Sequence, residues 1–445
     1  MRDHPSDLPI PRQSACPGLF RIVQALDGGI CRVKLPGGLL DSDQARAIAE
    51  AATHCASGVL ELTNRSNLQI RGVHAGLENE LIGRLISAGL GPRTLNADDV
   101  RNVLMSPAAG LDPAALLDTR PLAADLLALL QDTPALHQLS PKFSIQLDGG
   151  ERLNMLEHPH DIWFSALPGA PERLAFGLAG CPVDLPLGVI KTEQIRTFTH
   201  ALLMTFLRLA ESPQSRMRDL LTCTGAPRLL AEAQAQLPFP LQAAPREWSR
   251  AHSVPPLAVG ILEQRQPDRV MVAAGARLGR IEANQLRTLA ALSEQYAGGS
   301  LRLTPWQGVL LPDVSCPDSR PLLDQLSAVG LLTDAAEPLA GLIACTGSAG
   351  CARGLADTKA DALWLAEHMR RSGTRALVHL SGCPRSCAAA HVAPYTLLAT
   401  EPDRYTLYER VVDEPGFGRL LDTSLDIEQA GDWFAARHLT GNTDA

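Results

Sequence analysis

Lysine is scarce in this chain of 445 residues. Lysine and arginine together number 40, and only four of them are lysines, namely Lys34, Lys142, Lys191 and Lys359. A GC-rich genome would produce such a ratio. A substrate with several carboxylates would also favour it, because the arginine fork binds carboxylate oxygens in a bidentate way. The ratio alone leaves both explanations open.

Long apolar runs are also lacking. The best candidate, residues 174–190, is interrupted by Pro182, Asp184 and Pro186, so no segment is predicted to span a membrane. Residues 1–17 are polar and lack the apolar core of a secretory signal, so we expect a cytoplasmic protein. The ten cysteines are then expected to be thiols or metal ligands rather than disulfides. The net charge of -8 argues against nucleic acid or an anionic membrane as a partner.

The chain contains an internal repeat with a constant spacing of 241 residues. Residues 38–44 correspond to 279–285, and residues 58–63 correspond to 299–304. No gap is needed within these stretches, so chance similarity of short apolar strings does not explain them. A repeat at this distance predicts two copies of one folding unit.

Each copy is predicted to contain a helix followed by strands. In the first copy, Asp41 or Ser42 can cap a helix that ends before Gly58. Residues 59–62 and 68–73 are predicted to form two neighbouring strands. We expect the two units to pair into one sheet about a pseudo-twofold axis.

A second module follows the first in each half. Residues 106–110 resemble 346–350, and residues 147–149 resemble 380–382. The two copies of this module differ in their chemistry, because all of the paired cysteines lie in the second half of the chain.

These paired cysteines predict a four-iron, four-sulfur cluster. They form a C-x5-C pair and a C-x3-C pair, made of Cys345, Cys351, Cys383 and Cys387. A cubane takes one thiolate per iron, so four cysteines complete its ligand set. Structural zinc favours shorter spacings, and the other six cysteines show no pair spacing.

The segment between the two pairs explains how they can converge. A helix is predicted from Asp357 or Thr358 to Gly373, followed by a strand over residues 375–380. This strand would bring the second pair to the same sheet edge as the first. Glycine and serine residues between the cysteines leave room for sulfide and expose N–H groups that can hydrogen-bond to cluster sulfurs.

These motifs resemble those of the sirohaem sulfite and nitrite reductase superfamily, and the resemblance covers almost the whole chain. Besides the cysteine pairs, it rests on residues 34–38, 62–72 and 140–144. Within the superfamily the chain is most similar to the precorrin-3B synthase family, on the basis of residues 303–313, residues 345–351 and the chain length.

The resemblance implies an internally duplicated α+β fold, with a ferredoxin-like sheet domain shared by both halves and two related α+β domains. Six segments are expected in chain order: an N-terminal tail at 1–17, a first ferredoxin-like half-domain at 18–95, an α+β domain without a cluster at 96–240, a linker at 241–256, a second ferredoxin-like half-domain at 257–335, and an α+β domain with the cluster at 336–445.

For function, the resemblance implies an oxidoreductase, namely a monooxygenase of aerobic cobalamin biosynthesis that converts precorrin-3A to precorrin-3B. Dioxygen would hydroxylate one meso carbon of this carboxylate-rich tetrapyrrole, and an acetate side chain would close a lactone. Electrons would pass through the 4Fe-4S cluster. The alternative is a sirohaem-dependent sulfite or nitrite reductase, and a third hypothesis is a non-catalytic electron carrier or cluster scaffold.

One departure from the superfamily favours the monooxygenase. Sulfite and nitrite reductases typically have an Arg-Lys-Phe-Lys string, whose lysines help to hold the small anion. Here the string is Pro141, Lys142, Phe143 and Ser144, so two cations are missing. A site that reduces a small anion needs that positive field, so its weakening argues against sulfite reduction.

The resemblance also assigns roles to single residues. Arg65, Arg71 and Lys142 match positions that line the tetrapyrrole and anion pocket, and the alternative for each is a surface or sheet-edge cation. From the sequence, Lys359 is expected to be exposed to solvent, and the alternatives are that it caps a helix beside the cluster or contacts a carboxylate. Cys387 occupies the place where the superfamily bridges its cluster to sirohaem iron.

Precorrin-3B synthases are associated with an additional mononuclear non-haem iron, which makes this iron a second candidate cofactor. Sirohaem is expected only under the alternative function. The densest string of ligand types, residues 158–161, is expected to be a polar loop, and His391 is expected to pack beside the cluster. Neither shows a recognised ligand spacing, so no iron ligands are assigned.

Electrons are expected to come from another protein. No G-x-G-x-x-G follows a predicted strand, and no flavin fingerprint is present. The predicted partners are an external reductase or ferredoxin, the tetrapyrrole substrate and dioxygen, with no nucleic acid and no membrane.

Overall fold

The computed structural model describes residues 16–211, 216–245, 247–251, 258–411, 414 and 416–441, and the side chains of 438–441 are not described. Most of the predicted N-terminal tail (1–15) and part of the predicted linker (246 and 252–256) lie outside these ranges. Ten helices occur in the described part of the chain: α1 Ser42–Cys55, α2 Glu78–Ser87, α3 Arg120–Asp132, α4 Ile195–Leu209, α5 Met217–Thr224, α6 Ala226–Gln234, α7 Ala283–Tyr296, α8 Ser319–Ala328, α9 Thr358–Ser372 and α10 Ile427–Gly441.

Twenty strands occur in the same ranges. The first ten belong to the first half of the chain: β1 Val23–Ala25, β2 Gly28–Val33, β3 Leu39–Asp41, β4 Val59–Leu62, β5 Leu68–Val73, β6 Val103–Met105, β7 Ile145–Asp148, β8 His160–Leu167, β9 Ala170–Gly180 and β10 Gly188–Lys191. Those of the second half are β11 Gly260–Glu263, β12 Arg269–Gly275, β13 Arg280–Glu282, β14 Ser300–Leu303, β15 Gly308–Ser315, β16 Leu342–Ala344, β17 Val378–Ser381, β18 Tyr395–Glu401, β19 Arg404–Glu409 and β20 Arg419–Leu425.

The first repeat unit forms as the sequence predicts. Asp41 caps α1 by accepting a hydrogen bond from the backbone N–H of Gln44 at 2.7 Å, and the Gln44 side chain accepts one from the N–H of Asp41. This is a reciprocal capping box. Glu282 and Gln285 form the same box at the start of α7. The predicted strands following α1 are confirmed as β4 and β5.

The pairing of the repeat units differs from the prediction of one sheet. Two five-stranded sheets form instead, with the orders β1-β2-β5-β4-β13 and β11-β12-β15-β14-β3. Each sheet takes its fifth strand from the other half of the chain, because β13 pairs with β4 and β3 pairs with β14. The repeat spacing revealed two like units, but it carried no information about which edges they would exchange.

This exchange gives the two ferredoxin-like half-domains a common core. Buried apolar side chains from both halves form a single cluster, which includes Ile48 and Leu60 from the first half and Ile281 and Leu301 from the second. Burial of such side chains is the main favourable term in folding, so the two half-domains stabilise each other.

The two α+β domains are copies of one topology. The first contains a sheet of order β10-β9-β8-β7-β6, and the second a sheet of order β16-β17-β18-β19-β20. In each, the first two strand pairs along the chain are parallel and the rest are antiparallel. Each domain has its own apolar core. The duplicated α+β architecture is therefore present in both modules.

None of the helices within the described ranges is long and apolar enough to cross a membrane.

Candidate functional site

The four paired cysteines lie on two loops at one edge of the second α+β sheet. Cys345 follows β16 and Cys383 follows β17, and these strands are parallel with Ala344 opposite Leu380. The carboxyl ends of parallel strands meet at the same sheet edge, where ligands of such sheets commonly bind. The backbone N–H of Cys345 also donates to the carbonyl of Leu380. The predicted convergence of the two loops is therefore confirmed.

The helix between the pairs sets the separation of these loops. Asp357 caps α9 by accepting from the N–H of Ala360, and Gly373 ends the helix in the left-handed region with φ of +68°. Both boundaries agree with the prediction. The chain then returns to β17 beside β16.

Glycines allow the two cysteine loops to approach each other closely. A Cβ added at Gly354 would lie 2.4 Å from the carbonyl carbon of Gly347 in the same loop, and one added at Gly382 of the second loop would lie 3.3 Å from Cα of Gly354. The N–H of Leu355 donates to the carbonyl of Gly382 at 3.0 Å and joins the loops directly. The N–H of Gly382 donates to Sγ of Cys345 at 3.2 Å. A backbone N–H aimed at sulfur is the contact that tunes thiolate-ligated clusters.

The four thiols are close enough to influence one another's protonation. Burial raises the pKa of Cys387, and the like charges of Cys383, Cys345 and Cys351 raise it further. Four thiolates in this arrangement need a cationic centre to offset their repulsion. Within the described ranges no three His, Cys, Asp or Glu side chains converge on a point that could hold one metal ion. A cubane instead takes each sulfur at a different iron, which suits two separate loops.

Arg65 and Lys142, two of the predicted pocket cations, are neighbours. Arg65 donates from Nη1 to the backbone carbonyl of Lys142 at 3.1 Å, and the Lys142 side chain is exposed. Burial lowers the pKa of Arg65 to about 10, and the charges of Arg216 and Arg32 lower it further. Asn64, the residue before Arg65, contacts the segment that follows Cys387, because its Nδ2 donates to the carbonyl of Ala388.

Arg32 and Arg216 belong to the same group of cations, and the sequence did not single them out. Nε of Arg32 is buried without a hydrogen-bond partner within the described structure, and its guanidinium feels the charge of Cys387. Arg216 forms a bidentate ion pair with buried Asp161. We call Arg32, Arg65 and Arg216 the cation cluster. The R-x-K-x-P-G-G string that contains Arg32 was the only sequence signal for it.

Arg71, the third predicted pocket cation, lies elsewhere. It is 3% exposed, donates from Nε and Nη2 to Asp27 at 2.7 and 2.8 Å, and pairs with Glu61 at 3.3 Å. Nη2 also approaches the carbonyl of Gly350, which precedes Cys351. The structure therefore places Arg71 behind the cysteine loop with its charge paired, and its substrate-binding role stays a prediction.

The expectation that Lys359 is exposed is wrong. Its side chain is only 12% exposed, and Nζ lies 3.7 Å from Glu61 and donates to the carbonyl of Leu278. Burial lowers the pKa of Lys359, against the opposing attraction of Glu61. Lys359 is the second residue of α9, and the sequence around it does not show that β4, which contains Glu61, comes from the other half of the chain to cover it.

The expectation of a polar loop holds for residues 158 and 159 and is wrong for residues 160 and 161, which lie in β8. His158, His160 and Asp161 are each at most 3% exposed, and His160 begins β8. Nε2 of His158 lies 2.9 Å from Nδ1 of His391, which links the first α+β domain to the loop after Cys387. Burial lowers the pKa of His160 to about 3, together with the charges of Arg65 and Arg216.

Ser144 is a buried, uncharged residue whose polar groups are hydrogen-bonded within the protein. Its side chain is 1% exposed, its Oγ lies 3.1 Å from Nδ1 of His160, and its N–H donates to Asp161. The carboxylate of Asp161 is in turn neutralised by Arg216. The position after Phe143 therefore offers no free positive charge.

Comparisons with known proteins agree with this architecture. A sequence profile described as "Nitrite/Sulfite reductase ferredoxin-like half domain" matches residues 23–88 and 262–329, the two units that exchange strands. A profile described as "Nitrite and sulphite reductase 4Fe-4S domain" matches residues 96–241. Together the profiles match more than half of the chain. The chain belongs to the nitrite and sulfite reductase superfamily.

The second profile describes a 4Fe-4S domain, so the matched region belongs to a domain family of that kind. The 4Fe-4S profile falls on residues 96–241, a region that contains only two cysteines, Cys181 and Cys223, and neither of the cysteine pairs. The profile match therefore shows the family of that domain, whereas the cluster ligands are inferred from the cysteine pairs of the other copy.

Relatives within the superfamily include enzymes of two kinds. The chloroplastic ferredoxin–nitrite reductase of Spinacia oleracea is 29% identical over 395 residues, covering 81% of this chain. The chain spans only 65% of the length of that relative. The precorrin-3B synthase of Sinorhizobium sp is 28% identical over 427 residues, covering 92% of this chain and 87% of the relative. Sequence identity does not separate the two.

The fold of the superfamily is also seen in a solved structure. The NirA protein of Mycobacterium tuberculosis superimposes with a TM-score of 0.76 at 20% identity, over 92% of this chain and 79% of that one. This likeness extends across both halves of the chain and supports the duplicated fold alone.

Proposed function

We propose that this chain converts precorrin-3A to precorrin-3B, with a 4Fe-4S cluster bound by Cys345, Cys351, Cys383 and Cys387. One atom of dioxygen would enter the product as a hydroxyl group at a meso carbon, and the other would leave as water. This balance requires two electrons and two protons, and an external reductase or ferredoxin would supply the electrons. An acetate side chain of the substrate would then close a lactone.

The observation that carries the proposal is the site around Ser144. The reductases hold a small anion with lysines at this string, whereas Ser144 is buried, uncharged and bonded to His160 and Asp161. A developing negative charge on a small bound anion would lack the preorganised cation that stabilises it. The coverage of the precorrin-3B synthase relative, at 87% of its length, supports the same function.

The cation cluster supports a polycarboxylate substrate. Arg32 and Arg65 are half-buried, the charge of Arg32 is felt together with that of Cys387, and the exposed Lys142 is bonded to Arg65 through its backbone carbonyl. Guanidinium forks bind carboxylates in a bidentate way, and such charge-assisted contacts orient a large ligand. In this proposal the cluster supplies electrons one at a time, while these side chains bind and orient the tetrapyrrole. The additional mononuclear iron remains a candidate cofactor without assigned ligands.

The alternative function is that of a sirohaem-dependent sulfite or nitrite reductase. The nitrite reductases among the relatives favour it, at the same level of identity. A sirohaem reductase shows strong macrocycle bands in its visible spectrum as isolated, whereas our proposal predicts only the broad absorption of a cluster. Incubation with precorrin-3A, a reductant and labelled dioxygen then provides the direct test. A product without label would exclude the monooxygenase.

We expect Arg65→Gln to weaken binding of precorrin-3A by at least about tenfold, because one charge-assisted hydrogen bond contributes ~1.5–3 kcal/mol. Anaerobic absorbance titration measures the Kd, and the cluster spectrum should not change. Arg93→Gln is the matched control, because Arg93 pairs with Asp132 at the surface. An unchanged Kd for Arg65→Gln would remove Arg65 from the substrate site.

A further inference from the structure

A partly buried charge network lies next to the cysteine loops, with Glu61 at its centre. Glu61 accepts from Arg280 at 2.7 Å and from Arg71 at 3.3 Å, and Nζ of Lys359 lies 3.7 Å away. Asp27 forms a second ion pair with Arg71, through Nε. The network therefore contains three cations and two carboxylates, which leaves an excess of one positive charge.

Three members of the network contact residues that flank cluster cysteines. The hydroxyl of Thr346, the residue after Cys345, donates to Glu61 at 3.2 Å. Lys359 approaches the carbonyl of Ala344, the residue before Cys345, at 3.5 Å. Arg71 approaches the carbonyl of Gly350 at the same distance. The charges of Cys345 and Cys351 raise the pKa values of Lys359 and Arg71, respectively, which shows that each cation lies near one of these cysteines.

The copy of this site in the other half has the opposite charge at its centre. The 241-residue repeat spacing relates Glu61 to Arg302, and both occupy the exchanged strand pairs, with Glu61 opposite Arg280 and Arg302 opposite Leu39. Arg302 donates directly to the carbonyls of Pro107 and Ala109 in the loop that lacks cysteines. A carboxylate surrounded by cations is therefore found only on the cysteine side of this pair of sites.

We infer that Glu61 and Lys359 set the reduction potential of the cluster through the net charge of this network. The inference rests on the cluster site proposed above. A cubane held by four thiolates is negatively charged, and reduction adds one more electron, so neighbouring positive charge favours the reduced form. Glu61 holds Arg71, Arg280 and Lys359 in place and offsets part of their charge. The residues act on the potential and need not contact the substrate.

The test is a redox titration of the cluster in whole-length variants, followed by the electron paramagnetic resonance signal of the reduced protein. Glu61→Gln should raise the midpoint potential, and Lys359→Gln should lower it. We expect about a tenfold change in the equilibrium constant for one-electron reduction in each case, which corresponds to 59 mV. The double variant restores the original net charge, so its midpoint should return towards that of the unmodified protein.

The matched controls make the same types of substitution at positions outside the network. Glu294→Gln removes a carboxylate that pairs with Arg46 between two helices, and Lys191→Gln removes an exposed lysine paired with Glu193. Neither should move the potential. Arg280→Gln repeats the loss of a network cation at a side chain that is 34% exposed and therefore more tolerant of substitution, and it should lower the potential.

Three results are distinguishable. Unmodified protein that takes up no iron would overturn the proposed cluster site and this inference with it. Variants with full iron content and unmoved midpoints would overturn only the inference, as would shifts of the same sign in Glu61→Gln and Lys359→Gln. Shifts of opposite sign that cancel in the double variant would support a charge effect, because a packing defect would not reverse in that way.

Discussion

Cys345→Ser protein is expected to be isolated without the broad iron–sulfur absorption and without activity. Serine reaches less far than cysteine and resists deprotonation, so one iron of the proposed cubane loses its thiolate ligand. The sulfur of Cys345 also accepts the N–H of Gly382, which ties the first cysteine loop to the second. Iron analysis and the visible spectrum measure the loss, which should be nearly complete.

The control for this substitution is Cys223→Ser. Cys223 is exposed in α5 and belongs to neither cysteine pair, so its replacement should leave the iron content unchanged. Circular dichroism should show native secondary structure for both variants, because the α9 caps and the strand pairing do not involve either thiol. Full iron content in Cys345→Ser protein would show that the cluster, if one is bound, uses other ligands.

The second large effect concerns the exchanged strands, where Ile281→Ala should cost ~2–5 kcal/mol of unfolding free energy. Ile281 is 1% exposed in β13 and lies opposite Leu60 of the other half. Truncation would leave a cavity in the core that both half-domains share. Urea unfolding followed by circular dichroism measures the change.

The repeat provides an equivalent position at which the same test can be made. Leu40 of β3 lies 241 positions before Ile281 and pairs with Leu301 in the other exchanged edge, so Leu40→Ala should cost a similar amount. Ile261→Ala is the control, because Ile261 is 44% exposed in β11, and its truncation should stay within about 0.5 kcal/mol. Equal losses in Ile261→Ala and Ile281→Ala would mean that the exchanged strand contributes no special stability.

Local elements of the fold could be predicted from the sequence because their signals are local. The capping box of Asp41 and Gln44 fixed the start of α1, and Asp357 and Gly373 fixed both ends of α9. The convergence of the cysteine pairs also followed, since a strand, a helix and a parallel strand return the chain to the same sheet edge.

The pairing between the halves could not be predicted in the same way. A constant repeat spacing shows that two units are alike, but two like units can share one sheet or exchange edge strands. The choice depends on contacts such as Ile281 with Leu60, which join residues more than 200 positions apart. Local propensity carries no information about such contacts.

The same limit explains the errors at single residues. Lys359 was expected at the surface, yet Glu61 and Leu278, which are distant in the sequence, contact its ammonium group. His160 was expected in a polar loop, yet it begins β8 and is 3% exposed. Arg216 lies in the cation cluster because the fold brings its charge close to Arg65, about 150 positions away in the sequence.

The sequence by itself determined the duplication, the four paired cysteines and the missing cations around Phe143, because each is a matter of residue order and spacing. Only the tertiary structure decided that the halves exchange strands, and that this exchange brings Glu61 and Arg71 of one half against Lys359 of the other. The physical reason is that such a charge network forms only where folding brings together segments that are far apart in the sequence. The structure also shows that two of the four lysines, Lys34 and Lys359, have structural contacts, because each donates a hydrogen bond from Nζ to a backbone carbonyl.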